Sequence, residues 1–74
     1  MPEEQSGLLA GLISSFLKQE NQQDRLLFMG RYFHACSAKE LAAKMGMSES
    51  NVNVRLYRTR ERLRVYLTER GYSV

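Results

Sequence analysis

Hydrophobic positions recur along most of the chain at helical spacing, and polar breaks divide the pattern into four segments. From Gly7 to Gln19 the apolar residues Leu8, Leu9, Leu12, Ile13, Phe16 and Leu17 fall in pairs four residues apart, which predicts an amphipathic helix over about 7–19. Residues 1–6 carry no such period and read as a tail or linker remnant. The polar run Lys18 to Gln23 ends the first helix. Asn21, with Asp24 three residues later, has the form of an N-cap followed by an acid in the first turn, so a second helix is expected over 22–34. That helix is apolar on more than one side: Leu26, Met29 and Phe33 form one stripe, Phe28 and Tyr32 another nearly opposite, with Leu27 between. One stripe belongs to a core; the other requires helix one or a partner.

Ser37 to Glu40 has the Ser-x-x-Glu form of a capping box and opens a short third helix over 38–45. Gly46 supplies the left-handed residue that ends it. Ser48, followed by Glu49, caps a fourth helix expected over 49–70 and closed by Gly71. Val52, Leu56, Leu63 and Tyr66, with Thr59 between them, step by four and three and predict one buried seam. No segment shows strand alternation or an internal repeat. The expected fold is all-α: four helices, a helix-turn-helix without a wing, and a long C-terminal recognition helix in a domain spanning 7–74.

Seventy-four residues and 43% apolar composition suffice for one core. An enzyme with a deep cleft is not expected. The lone Cys36 closes no intrachain disulfide, and its neighbour His34 makes too small a set for a metal site, so neither metal nor cofactor is expected. Ser14, Ser15 and His34 lack the setting of a nucleophile, and Glu3 and Glu4 sit side by side where they cannot flank a substrate. No catalytic residue and no small-molecule substrate are assigned. The longest mostly apolar run, Leu8 to Ile13, is six residues, far short of a membrane span, and acids rather than Lys or Arg precede it. No membrane partner and a cytoplasmic location are expected.

The net charge of +3 is unevenly placed: residues 1–50 hold five Lys/Arg against six Asp/Glu, and residues 51–74 hold six Arg against two Glu. A basic final third on a near-neutral body points to nucleic acid. Two helices joined by a Gly-containing turn, with Leu41, Ala42, Met45, Gly46, Met47 and Val52 in the places such a motif needs, are the geometry that puts a recognition helix into the DNA major groove. The competing reading is an ordinary αα-hairpin. Basic charge on the helix that would meet DNA favours the first.

With Val52 and Leu56 inward, the residues Ser50, Asn53, Val54, Tyr57, Arg58 and Glu61 face outward or to the flanks. Arg58 has the geometry to grip guanine O6 and N7, Asn53 to pair with adenine N6 and N7, and Val54 or Tyr57 to touch a thymine methyl. Ser48, Ser50, Arg55, Arg60, Arg62 and Arg64 are assigned to phosphates, which fix register without reading sequence. The alternative for these arginines is a solvated face partnered by Glu61 and Glu69.

The run from Ser37 to Leu67, SAKELAAKMGMSESNVNVRLYRTRERLRVYL, resembles region 4 of bacterial extracytoplasmic-function sigma factors. The upstream Arg25 to Phe33, RLLFMGRYF, is similar to the family's Arg-x-x-Phe-x-x-Arg-Tyr helix, and the most specific element is Leu-Tyr-Arg-x-Arg-x-x-Leu at Leu56 to Leu63. The resemblance covers residues 25–70. It implies a module that binds the minus-35 element of double-stranded promoter DNA and docks on the β flap of core RNA polymerase in transcription initiation. It implies base reading from Asn53, Val54, Tyr57 and Arg58, and phosphate contacts from Arg55 and Arg60. The chain departs from the family at two of these, which usually carries Lys or Arg where Asn53 stands and Ser where Val54 stands.

Family members are also commonly silenced by an anti-sigma factor that wraps hydrophobic surfaces, and Phe28, Tyr32 and Phe33 are the candidates for a partner surface. Nothing in these residues resembles the region 2 that melts promoter DNA, so the chain is expected to be either an excised C-terminal domain or a protein that works differently. Two rivals are the DNA-binding domain of a LuxR-type response regulator, which closes with a separate dimerisation helix, and a helical interaction module built on the heptad spacing of Val52 to Tyr66. That seam spans only about two heptads, fewer than a convincing coiled coil needs.

Overall fold

A computed structural model describes residues 2–72, with side chains from Gly7 onward. Four helices follow one another, α1 (Pro2–Gln19), α2 (Gln22–Tyr32), α3 (Ala38–Met45) and α4 (Glu49–Glu69), and no strand occurs among the described residues. α4 is the axis of the fold, and the other three helices all pack against it.

The ends of the helices follow from local chemistry. α1 reaches back to Pro2 through residues expected as a tail. Proline at a helix start has its φ already set and no amide hydrogen to leave unpaired. Lack of a hydrophobic period spoke only to burial, not to helix formation. α2 starts where Asn21 caps it, the side-chain oxygen accepting from the Asp24 amide at 2.9 Å. It ends at Tyr32, two residues before the expected end at His34. There Ala35 adopts a left-handed φ of 55° and the Cys36 amide donates to the Gly30 carbonyl at 2.9 Å, turning the chain out of the helix. α4 ends at Glu69, with Gly71 at a φ of 92°.

Two apolar clusters meet along α4. Leu27, Leu41, Ala42, Val52 and Leu56 form the first, with Cys36, Ala38, Met45 and Met47 against its edge. Phe16, Leu17 and Phe28 form the second, with Ile13, Met29, Leu63 and Tyr66 around it. The expected seam is present: Val52, Leu56 and Thr59 are buried, Leu63 and Tyr66 half-buried, and Leu67 extends it. Thr59 is tolerated inside because its hydroxyl donates to the Arg55 carbonyl at 2.9 Å. α2 approaches α3 closely at Gly30, where an added Cβ would lie 2.6 Å from Leu41 Cδ2.

The two stripes of α2 are resolved by this packing. Leu27 and Phe28 enter the core, while Leu26, Tyr32 and Phe33 remain exposed and Met29 is half-buried. Phe28 is only 6% exposed. It therefore belongs to the core rather than to a partner surface, because α1 and α4 cover its ring through Phe16 and Leu63. No described helix is long and apolar enough to cross a membrane.

Candidate nucleic-acid interface

The segment Ala38 to Glu69 builds a helix-turn-helix from caps at each joint. At the start of α3 the Ser37 hydroxyl accepts from the Glu40 amide at 3.0 Å, and the Glu40 carboxylate accepts from the Ser37 amide at 2.7 Å. That backbone hydrogen bond is the main cause holding the Glu40 carboxyl below its ordinary value. Gly46, at a φ of 68°, ends α3, and the Met47 amide closes back on the Ala42 carbonyl at 3.0 Å. Ser48 then caps α4 by accepting from the Asn51 amide at 3.0 Å. The turn is thus held locally, by the left-handed backbone of Gly46, the Met47 amide and the Ser48 side-chain cap.

The first turns of α4 present Ser50, Asn53, Val54, Tyr57 and Arg58 to solvent while Val52 and Leu56 point into the core. These are five of the six residues expected on the outer face or its flanks, gathered within two and a half turns, and the sixth, Glu61, is half-buried. Tyr57 is 57% exposed and lies beside Arg60, whose guanidinium carbon is 6.0 Å from the ring centre. Ser48 is exposed, and its oxygen caps the helix while the hydroxyl hydrogen remains free to donate.

The arginines divide into distinct settings. Arg60 donates from Nη1 to the Tyr32 hydroxyl at 2.7 Å, tying the outer end of α2 to α4. Arg64 pairs with Glu61 one turn before it at 2.7 Å, which raises it above the ordinary guanidinium value. Glu69 lies 4.0 Å from Arg70 instead. Arg62 does not project freely as a phosphate contact would. Its Nε and Nη2 donate to Glu20 at 3.1 and 2.6 Å, and Nη2 also reaches Asp24 at 3.2 Å and the Thr59 hydroxyl at 3.2 Å. The Glu20 hydrogen bond is the chief cause raising Arg62 above its usual value, and the side chain clamps α4 to the α1–α2 corner. Arg55 leans the same way, its Nε 3.0 Å from Asp24 Oδ1.

Glu20 and Asp24 are thus the acids that partner this face, in addition to Glu61. The signal for Asp24 was present in the sequence: it stands three and four residues before Leu27 and Phe28, on the side of α2 that is buried. A carboxylate there needs a cation from another element. The choice of Arg55 and Arg62 required the crossing angle of α2 on α4.

At the end of α2, Tyr32, bonded to Arg60, and Phe33 just beyond it are exposed at 44% and 57%. Phe33 borders an apolar groove of about 390 Å³ between α1 and α2, lined by Ile13, Leu17 and Met29. Cys36 is half-buried with Lys44 Nζ 4.0 Å from its sulfur, and no three His, Cys, Asp or Glu side chains gather among the described residues.

The family model described as sigma-70, region 4 matches residues 21–63, from the cap of α2 to the middle of α4. No curated protein sequence matches the chain.

Proposed function

The chain belongs to the sigma-70 region 4 family, whose members are DNA-binding regulatory domains of sigma factors, and on that premise we propose that it reads the minus-35 element of promoter DNA and docks on core RNA polymerase. The observation that carries this reading is the exposed set Asn53, Val54, Tyr57 and Arg58 on the N-terminal half of a helix whose other face is core. Side chains in that half of a recognition helix reach base edges in the major groove. Arg58 reads guanine, Asn53 reads adenine, and Val54 with Tyr57 lines a thymine methyl. Ser48, Ser50, Arg55, Arg60 and Arg64 contact phosphates and set the register.

The domain acts by recognition, not by chemistry, in the cytoplasm where the polymerase works. The resemblance to the extracytoplasmic-function branch supports the β flap as the docking point and an anti-sigma factor as a second partner. The exposed Phe33, at the edge of the α1–α2 groove, and its exposed neighbour Tyr32 suit such a contact. The unbroken α4, running through the arginines to Glu69, favours this reading over a LuxR-type domain.

Random-site selection with the purified chain tests the proposal, followed by titration of the selected duplex and single-base variants over a salt series. Enrichment of one short element, bound with an affinity that falls steeply with salt, is expected. Recovery of unenriched DNA would sink the reading.

A further inference from the structure

Asp24 is a carboxylate almost entirely enclosed by protein, with its side chain 9% exposed. Its two oxygens are used differently. Oδ2 accepts from Asn21 Nδ2 at 2.9 Å and from Arg62 Nη2 at 3.2 Å, and Arg62 is itself anchored on Glu20. Oδ1 faces Arg55 Nε at 3.0 Å, but the two are not aligned as a hydrogen bond, so the contact is one of charge and proximity. On the other side, Arg55 Nε is buried while the side chain as a whole is 30% exposed. Among the described residues its Nη1 and Nη2 have no protein partner.

An arginine held by its inner edge and open at its outer edge is oriented rather than neutralised. The ion pair with a buried carboxylate keeps Nε at the inner end, and because guanidinium is rigid and planar its remaining four donors are left on the outer, solvent side. Arg55 lies in the second turn of α4, between Val54 and Leu56, beside the exposed reading face. Building on the proposed DNA-binding role, we infer that Asp24 is a positioning residue for DNA: it holds Arg55 so that its Nη edge meets a backbone phosphate. Arg62 and Glu20 keep the Asp24 carboxylate in place. The corner where α1 meets α2 thereby sets the aim of a side chain on the recognition helix, and the benefit is preorganisation, since the rotamers Arg55 would lose on binding are already restricted.

The test is a salt series of binding titrations on the duplex recovered by random-site selection, with circular dichroism to monitor folding. Asp24→Asn and Arg55→Ala are each expected to weaken binding about 5- to 10-fold on every sequence and to lower the slope of log affinity against log salt by about one, the loss of a single phosphate contact. The double variant is expected to bind no worse than Arg55→Ala. Arg55→Lys leaves the buried acid untouched, and keeps the test decisive if Asp24→Asn fails to fold. A lysine has one compact head group and no separate inner and outer edges, so it is expected to bind as weakly as the alanine variant. The inference is overturned if Asp24→Asn leaves affinity and slope unchanged, if it tightens binding, if its loss adds to that of Arg55→Ala, or if Arg55→Lys binds like the wild type. Should the wild type itself show no salt-dependent duplex binding, the proposed function falls and this inference with it. If wild-type binding is intact and Arg58→Ala relaxes base preference while the Asp24 result is negative, the inference alone fails.

Discussion

Gly30 and Leu41 meet where α2 crosses α3, so closely that a methyl group on Gly30 would stand 2.6 Å from Leu41 Cδ2. Leu41 is buried in the first core cluster, so its Cδ2 methyl would have to turn out of its place there to make room. Gly30→Ala gains about 1 kcal/mol of helix propensity but overpacks this crossing at a cost of about 1–3 kcal/mol. A net loss of stability is expected in thermal unfolding, and Leu41→Ala should cost less in the Gly30→Ala chain than in the wild type, the coupling expected of residues in contact. A variant more stable than wild type would show that the crossing has slack.

The aromatic residues of α2 separate core from surface. Phe28→Ala removes a ring enclosed by Phe16 and Leu63 and should cost about 3–5 kcal/mol in chemical denaturation. Phe33→Ala, at a position 57% exposed, should change stability by less than about 1 kcal/mol. A partner that docks on this side loses affinity from the second substitution while the fold is kept. A comparable destabilisation by both would place Phe33 in the core.

Arg58 and Arg60 are expected to fail in different ways. Arg58→Ala should cost about 1–3 kcal/mol of DNA binding and relax one base position. Arg60→Ala should weaken all sequences alike and lower the salt slope by about one. If Arg58→Ala bound the preferred duplex as tightly as wild type, the assignment of the outer face would be wrong.

The capping box at α3 is sensitive to acid. Glu40 is held below its ordinary carboxyl value by the Ser37 amide. Its contribution is therefore present above the unfolded carboxyl's titration and is lost as pH falls through the lower folded value. Melting temperatures of wild type and Glu40→Gln are expected to differ at neutral pH and to converge in acid. A gap that stayed constant with pH would assign the stabilisation elsewhere. Ser37→Ala, which removes the other half of the box, should cost about 1 kcal/mol.

The helices and their joints were legible in the chain because they rest on local chemistry. Asn21, Ser37, Gly46 and Ser48 act within three or four residues of themselves, and their roles as caps and turn hold in the structure. The seam from Val52 to Tyr66 was readable for the same reason, since helical period alone decides which side of α4 is enclosed. What sequence could not decide was how two helices cross. Two stripes on α2 were equally apolar, and only the approach of α1 and α4 assigns Phe28 to the inside. The arginines of α4 read as one basic face, yet Arg62 turns to Glu20, forty-two positions away, because α2 and α4 cross there. The start of α1 was missed for a different reason, as helix can form without a hydrophobic period to announce it.

α4 carries two kinds of residue in alternation: Val52, Leu56 and Thr59 are enclosed, and Asn53, Val54, Tyr57 and Arg58 are not. A change on the outer set meets solvent and leaves the packing untouched, so its effect on folding is small. Preference for one DNA sequence is therefore free to drift while the scaffold stays as it is. The departures at Asn53 and Val54 from the residues usual in the resembling family are differences of that kind, alterations of vocabulary that leave the grammar of the fold unchanged.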